Sequence, residues 1–199
     1  MADLWGAAKC HIKEMVRRLT ELGPFKLRWA AYRDYCDGSD LFQSSDWHDS
    51  ADPLLRFIDR VSCTGGGDFE EAVEYALKCA VEEPIATRII LIGDAPPHPE
   101  RDFREQATQL GKLGRPVFAF VVGEHAETQE AFAEIARLSG GKSTALRSAN
   151  DLLDVVVLTV AHEMGGAEEV QQYLQKYSGQ LGQGAREYGQ LLLGRGSND

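Results

Sequence analysis

Ile89-Ile90-Leu91-Ile92 is an unbroken β-branched and aliphatic run that ends on Gly93-Asp94. A run of this kind suits a strand buried on both faces, as in parallel sheets, and in open α/β sheets the carboxyl ends of such strands border the ligand crevice. The residues around it repeat the theme. Thr87 to Ile92 reads as a strand, Pro99 to Leu113 as a helix, Pro116 to Val122 as a strand, and Thr128 to Leu138 as a helix stopped by Ser139-Gly140-Gly141. A weak strand from Lys142 to Leu146 then leads into a helix from Leu152 to Met164. Strand and helix in this rhythm imply crossover units, hence an α/β fold with a doubly wound, mostly parallel sheet and helices on both faces.

The first third of the chain fits the same plan. Apolar positions from Leu4 to Leu19 give Asp3 to Leu22 a helical stripe, ended by Gly23-Pro24. Phe25 to Tyr32 is strand-like, Leu41 to Gln43 is a short edge-strand candidate, and Asp37-Gly38 between them marks a turn that suits a hairpin. Pro53 to Val61 reads as a short helix capped by Asp52, and the spacing from Phe69 to Val81 gives another amphipathic helix, with Asp68 placed to cap it. After Gly165-Gly166 the texture changes. The reading is a domain over residues 1–163 and a helical extension with a frayed tail over residues 164–199, the latter suited to docking or linkage.

Composition narrows the function classes. The chain has 199 residues and a formal net charge of −10. Such acidity argues against nucleic acid or an anionic membrane as a partner, since both call for clustered Lys and Arg. No apolar run approaches the roughly 20 residues of a membrane span, and a cytoplasmic setting is expected. Cys10, Cys36, Cys63 and Cys79 form no CxxC pair and read as reduced thiols, the five histidines are scattered and no HExxH motif is present, so zinc chemistry is not expected. Gly140-Gly141-Lys142-Ser143-Thr144 imitates the end of a phosphate loop, but Ala136 stands where the earlier glycine is required. No GxSxG elbow or assignable catalytic triad occurs.

Two segments stand out as halves of an oxygen-lined cation site. Cys63-Thr64-Gly65-Gly66-Gly67-Asp68 is a glycine-rich loop closing on a carboxylate, and Gly93-Asp94 ends the buried strand. With Ala31-Tyr32-Arg33-Asp34, Thr64 to Asp68 and Gly93 to His98 in this order, residues 1–163 resemble a von Willebrand factor A domain of the intracellular bacterial and protist branch. The resemblance implies a metal-ion-dependent adhesion site, in which Asp68 and Asp94 are ligands and Thr64 reaches the ion or braces its loop. Mg²⁺ is the ion it implies, with Mn²⁺ or Ca²⁺ as substitutes. Arg33 and Asp34 read as a local salt bridge or hairpin cap, and His98 as a surface turn histidine beside the crevice. Trp47 and His48, in the acidic loop from Asp46 to Asp52, are candidates for the binding rim.

The departure from the family pattern is at the start, where the first central strand and its DxSxS ligands are missing. An upstream start is the favoured account; closure of the gap by neighbouring strands, or a strand donated by another chain, are the alternatives. Ion affinity is therefore expected to be poor. The resemblance implies a non-enzymatic protein-binding module, an adaptor or scaffold of a larger intracellular assembly, working beside an ATPase, kinase or protease effector. The alternative is a metal-assisted hydrolase or phosphoryl-transfer protein using Asp68 and Asp94.

Overall fold

The computed structural model describes residues 2–62, 67–146 and 149–194. In chain order the elements are α1 (Ala2–Glu21), β1 (Ala30–Tyr32), β2 (Phe42–Ser44), α2 (Ala51–Arg60), α3 (Val73–Glu82) and β3 (Ile89–Gly93). They continue with α4 (Arg104–Lys112), β4 (Val117–Val122), α5 (Ala126–Ser139), β5 (Ser143–Leu146), α6 (Ala149–Lys176) and α7 (Gln183–Leu192). The chain divides into two compact units, one made of Ala30–Ser44 with Val61–Arg147 and the other of Met1–Trp29, Ser45–Arg60 and Ser148–Asp199.

The first unit holds the strands. β3, β4 and β5 form a parallel sheet in that order, with Leu91 opposite Ala119 and Val121 opposite Ala145. The strand and crossover rhythm read in the sequence is thus present as a mixed α/β unit. Val117, Ala119 and Val121 point from one face of β4 into a core with Val73 and Leu77 of α3, Leu110 of α4 and Phe132 of α5. Phe118 and Phe120 on the opposite face are buried too, which is why the strand is apolar at every position. At Gly141 a Cβ would collide with the Val117 carbonyl, so the turn from α5 into β5 demands glycine there. Gly140, at φ 80°, caps α5, and the phosphate-loop lookalike is a helix-to-strand turn.

β1 and β2 pair antiparallel as a separate hairpin, with a 3-10 turn over Tyr35–Asp40 between them and Gly38 at φ 57° inside it. The hairpin expected from Asp37-Gly38 is present, but its ladder is only Ala30–Tyr32 against Phe42–Ser44. Among the described residues, β1 does not close the gap beside β3 by backbone pairing. The Tyr32 hydroxyl instead donates to the Ile92 carbonyl at 3.1 Å.

Two helices start later than their spacing suggests. α3 begins at Val73 because Glu71 is held extended: its N–H donates to the Pro96 carbonyl at 3.0 Å in a parallel bridge with Pro97, and the Ala72 N–H donates to the Arg33 carbonyl at 3.1 Å. Asp68 therefore caps no helix, and Phe69 is 48% exposed. α4 begins at Arg104, after a turn in which the Asp102 carboxylate accepts from the Arg104 N–H.

The second unit is helical. α1 and α2 bury Val16, Leu54 and Ile58 together, flanked by Leu27 and Trp29. In α6 the helical run is broken at Gly166, φ 65° and ψ −144°, where the sequence texture changes. Arg18 is buried in this unit and ties α1 to both parts of α6, donating to Asp154 at 2.8 Å and to the Tyr173 hydroxyl at 2.9 Å, while the guanidinium lies over the Tyr177 ring. Burial works against the Arg18 charge, yet hydrogen bonds to Tyr173 and Glu14 hold the guanidinium above its ordinary value. Burial likewise pushes the Asp154 carboxyl up, against the pull of its partners. No helix among the described residues is long and apolar enough to cross a membrane.

Candidate functional site

The site forms where loops leave the strands of the first unit. Asp34 follows the end of β1, and the Asp94 to His98 segment follows the carboxyl end of β3. The bridge between Glu71 and Pro97 draws the far side of the glycine loop against that segment. Gly67 lies so close to Asp34 and Cys36 that a Cβ there would stand 2.5 Å from Asp34 Oδ2 and 2.8 Å from Cys36 Sγ. Gly67 thus has a packing reason to be glycine.

Asp34, Asp68 and His98 each bring one possible ligand atom into a group whose members all lie within 4.8 Å of one another. Asp34 and His98 are buried, at 7% and 8% exposure, and Asp68 is exposed. His98 Nε2 meets Asp34 Oδ1 at 2.7 Å, Glu100 stands 3.7 Å from Nδ1, and the Tyr35 ring centroid lies 5.5 Å from the imidazole. His98 is therefore a buried, oriented ring and not a surface turn residue. The two prolines before it and the Glu71 bridge turn that segment inward.

A hydrogen bond from Cys36, together with those from His98 and the Tyr35 N–H, pulls Asp34 down to about 2 against its burial. Burial would lower His98, but the Asp34 carboxylate more than offsets this and raises it above 6.5. Glu71 is pushed up to about 7, first by burial and then by the charges of Asp34, Asp94 and Asp37. Its Oε2 is buried with no hydrogen-bond partner among the described residues. Beside the group, the Tyr35 hydroxyl donates to Glu74 and Arg101 lies over the Tyr35 ring.

Of the residues expected from the sequence, Asp68 joins the group. Asp94 is exposed and is not one of the three residues that converge, although its charge reaches Glu71 and Tyr32. Thr64 lies outside the described residues. Asp34 does cap the hairpin turn, accepting from the Tyr35 N–H at 2.6 Å, and it also converges with His98, a meeting that no local pattern in the sequence signals. Arg33 bonds Ser62 and lies 3.9 Å from Asp40. Trp47 and His48 belong to the helical unit, where His48 bridges Leu27. An all-oxygen Mg²⁺ site does not fit this donor set, because one of its three members is an imidazole nitrogen.

No family model matches the chain. Residues of the chain are 27% identical over 141 positions to R811 of Acanthamoeba polyphaga mimivirus, described as an ariadne-like RING finger protein, covering 60% of this chain. The match spans 14% of that relative's length. Among solved structures, the conserved hypothetical protein BatB from Bacteroides thetaiotaomicron is similar with a TM-score of 0.57 and 16% identity, over 86% of this chain and 88% of that one. An uncharacterized membrane spanning protein from Vibrio fischeri reaches a TM-score of 0.33 at 16% identity, over 80% of this chain and 85% of that one, too low to carry an argument. The likeness to BatB is one of fold alone.

Proposed function

We propose that the chain is a von Willebrand factor A-like, doubly wound domain acting as a non-enzymatic protein-binding module, an adaptor or scaffold of a larger intracellular assembly. The observation that carries this reading is the convergence of Asp34, Asp68 and His98 beside the carboxyl end of β3, where open α/β folds bind ligands. The adhesion site of the family is degenerate here, and a weakly held divalent ion at the three-residue group supplies an open coordination position for a partner's carboxylate. The ion also offsets the crowding of Asp34, Asp68, Glu71 and Asp94. The partner is another protein, an ATPase, kinase or protease effector in the manner of the family. The alternative, hydrolysis or phosphoryl transfer through Asp68 and Asp94, needs those two carboxylates to share a cation, and Asp94 is not in the converging group.

The test is affinity capture from the native lysate by the wild-type chain, by Asp34→Asn and by Asp68→Asn, each with and without chelator. Capture of a defined protein that is lost on either substitution and on chelation supports the docking role. Capture indifferent to all three would remove it. Hydrolysis of a phosphomonoester that depends on both Asp68 and Asp94 would favour the enzyme instead.

A further inference from the structure

We propose that the Asp34, Asp68 and His98 group takes a nitrogen-accepting divalent ion of the zinc class, and not the Mg²⁺ implied by the family resemblance. The inference rests on reading this face as a cation site, but not on its docking role. Three observations carry it. First, the donor set is two carboxylates and one imidazole within 4.8 Å. Mg²⁺ demands oxygen donors and sheds its waters reluctantly, whereas Zn²⁺ accepts His nitrogen and carboxylate oxygen and, with three protein ligands, keeps a fourth position open.

Second, the imidazole is buried and oriented. It is 8% exposed and flanked by Tyr35; Nε2 faces the group while Nδ1 faces the Glu100 carboxylate at 3.7 Å. A carboxylate on the side of the distal nitrogen is the usual companion of a metal-ligating histidine; here Glu100 lies beyond hydrogen-bond reach and would have to close in to brace the ring. Third, Glu71 Oε2 is buried and has no hydrogen-bond partner among the described residues. A buried acceptor atom with no donor is one that a bound ion or its water can satisfy. Sequence spacing could not reveal this donor set, since its members come from three separate segments.

The experiment is equilibrium dialysis of the whole chain against Zn²⁺, Co²⁺ or Mg²⁺ alone, in a background with Cys10, Cys63 and Cys79 changed to Ser to suppress adventitious thiol binding. Visible absorption of the Co²⁺ form reports ligand geometry. One equivalent of Zn²⁺ should bind where the same concentration of Mg²⁺ does not, and His98→Gln should weaken Zn²⁺ about 100-fold or more and alter the Co²⁺ spectrum. Asp68 is exposed, so Asp68→Asn tests the same donors without touching the core and should also weaken Zn²⁺. Mg²⁺ binding as tightly as Zn²⁺, or Zn²⁺ binding unchanged in both variants, overturns the assignment. Zn²⁺ binding without partner capture upholds the ion and removes the docking role. Partner capture by a chain that binds no Zn²⁺ overturns the ion alone.

Discussion

Replacing Glu71 with glutamine should make the protein more stable, and only above mildly acidic pH. The carboxyl stands at 4.5 when unperturbed and at about 7 in the fold. For an acid this means that the native state keeps its proton between those values while the unfolded chain releases it. Stability is therefore full below pH 4.5 and is lost as pH rises towards 7. At full linkage the difference amounts to about 3 kcal/mol, and because the side chain is only half-buried, solvent reduces this to about 1–2 kcal/mol. Glutamine keeps the shape and cannot ionise. Urea unfolding of wild type and Glu71→Gln, with chelator present and from pH 4 to pH 8, reads the effect directly. The two should coincide near pH 4 and diverge to about 1–2 kcal/mol by pH 8, about 2–8 °C in melting temperature for a chain of this size. His98 carries a raised value in the wild type and is coupled to Glu71, so its own titration is followed by NMR in both proteins and subtracted. A constant offset at every pH, or a wild type favoured at pH 8, would refute the argument that burial and the neighbouring carboxylates push Glu71 up.

Gly67→Ala should displace the Asp34 carboxylate, since the new Cβ would stand 2.5 Å from Oδ2. An NMR titration of His98 should then show its pKa falling from its raised position towards 6.5. Arg18→Ala leaves Asp154 buried without its cation and should cost about 3–5 kcal/mol in chemical unfolding. Phe132→Ala opens a cavity at a fully buried position between α5 and the sheet and should cost about 3–5 kcal/mol by the same measurement.

The alternation of strand and helix from Ile89 to Leu146 was legible because local pattern and burial coincide there: a strand covered on both faces must be apolar throughout, and its crossover helix must be amphipathic. The hairpin and the break at Gly166 were legible for a similar reason, since turns and helix ends need particular backbone conformations that glycine supplies. Helix starts were less so. Asp68 and Phe69 have helical spacing, but the backbone bridge from Glu71 to Pro97, formed with residues 26 positions away, holds the segment extended. The candidate site divides along the same line. Asp68 could be singled out because it closes a recognisable loop, whereas Asp34 and His98 carried ordinary local explanations as a cap and a turn residue. Their meeting at 2.7 Å joins positions 64 residues apart, and so does not exist until the chain has folded. Residue type and short-range period were thus set by the sequence alone. Which carboxylates share a space, and whether a nitrogen joins them, depended on tertiary contacts, because electrostatic coupling follows distance through space and takes no account of separation along the chain.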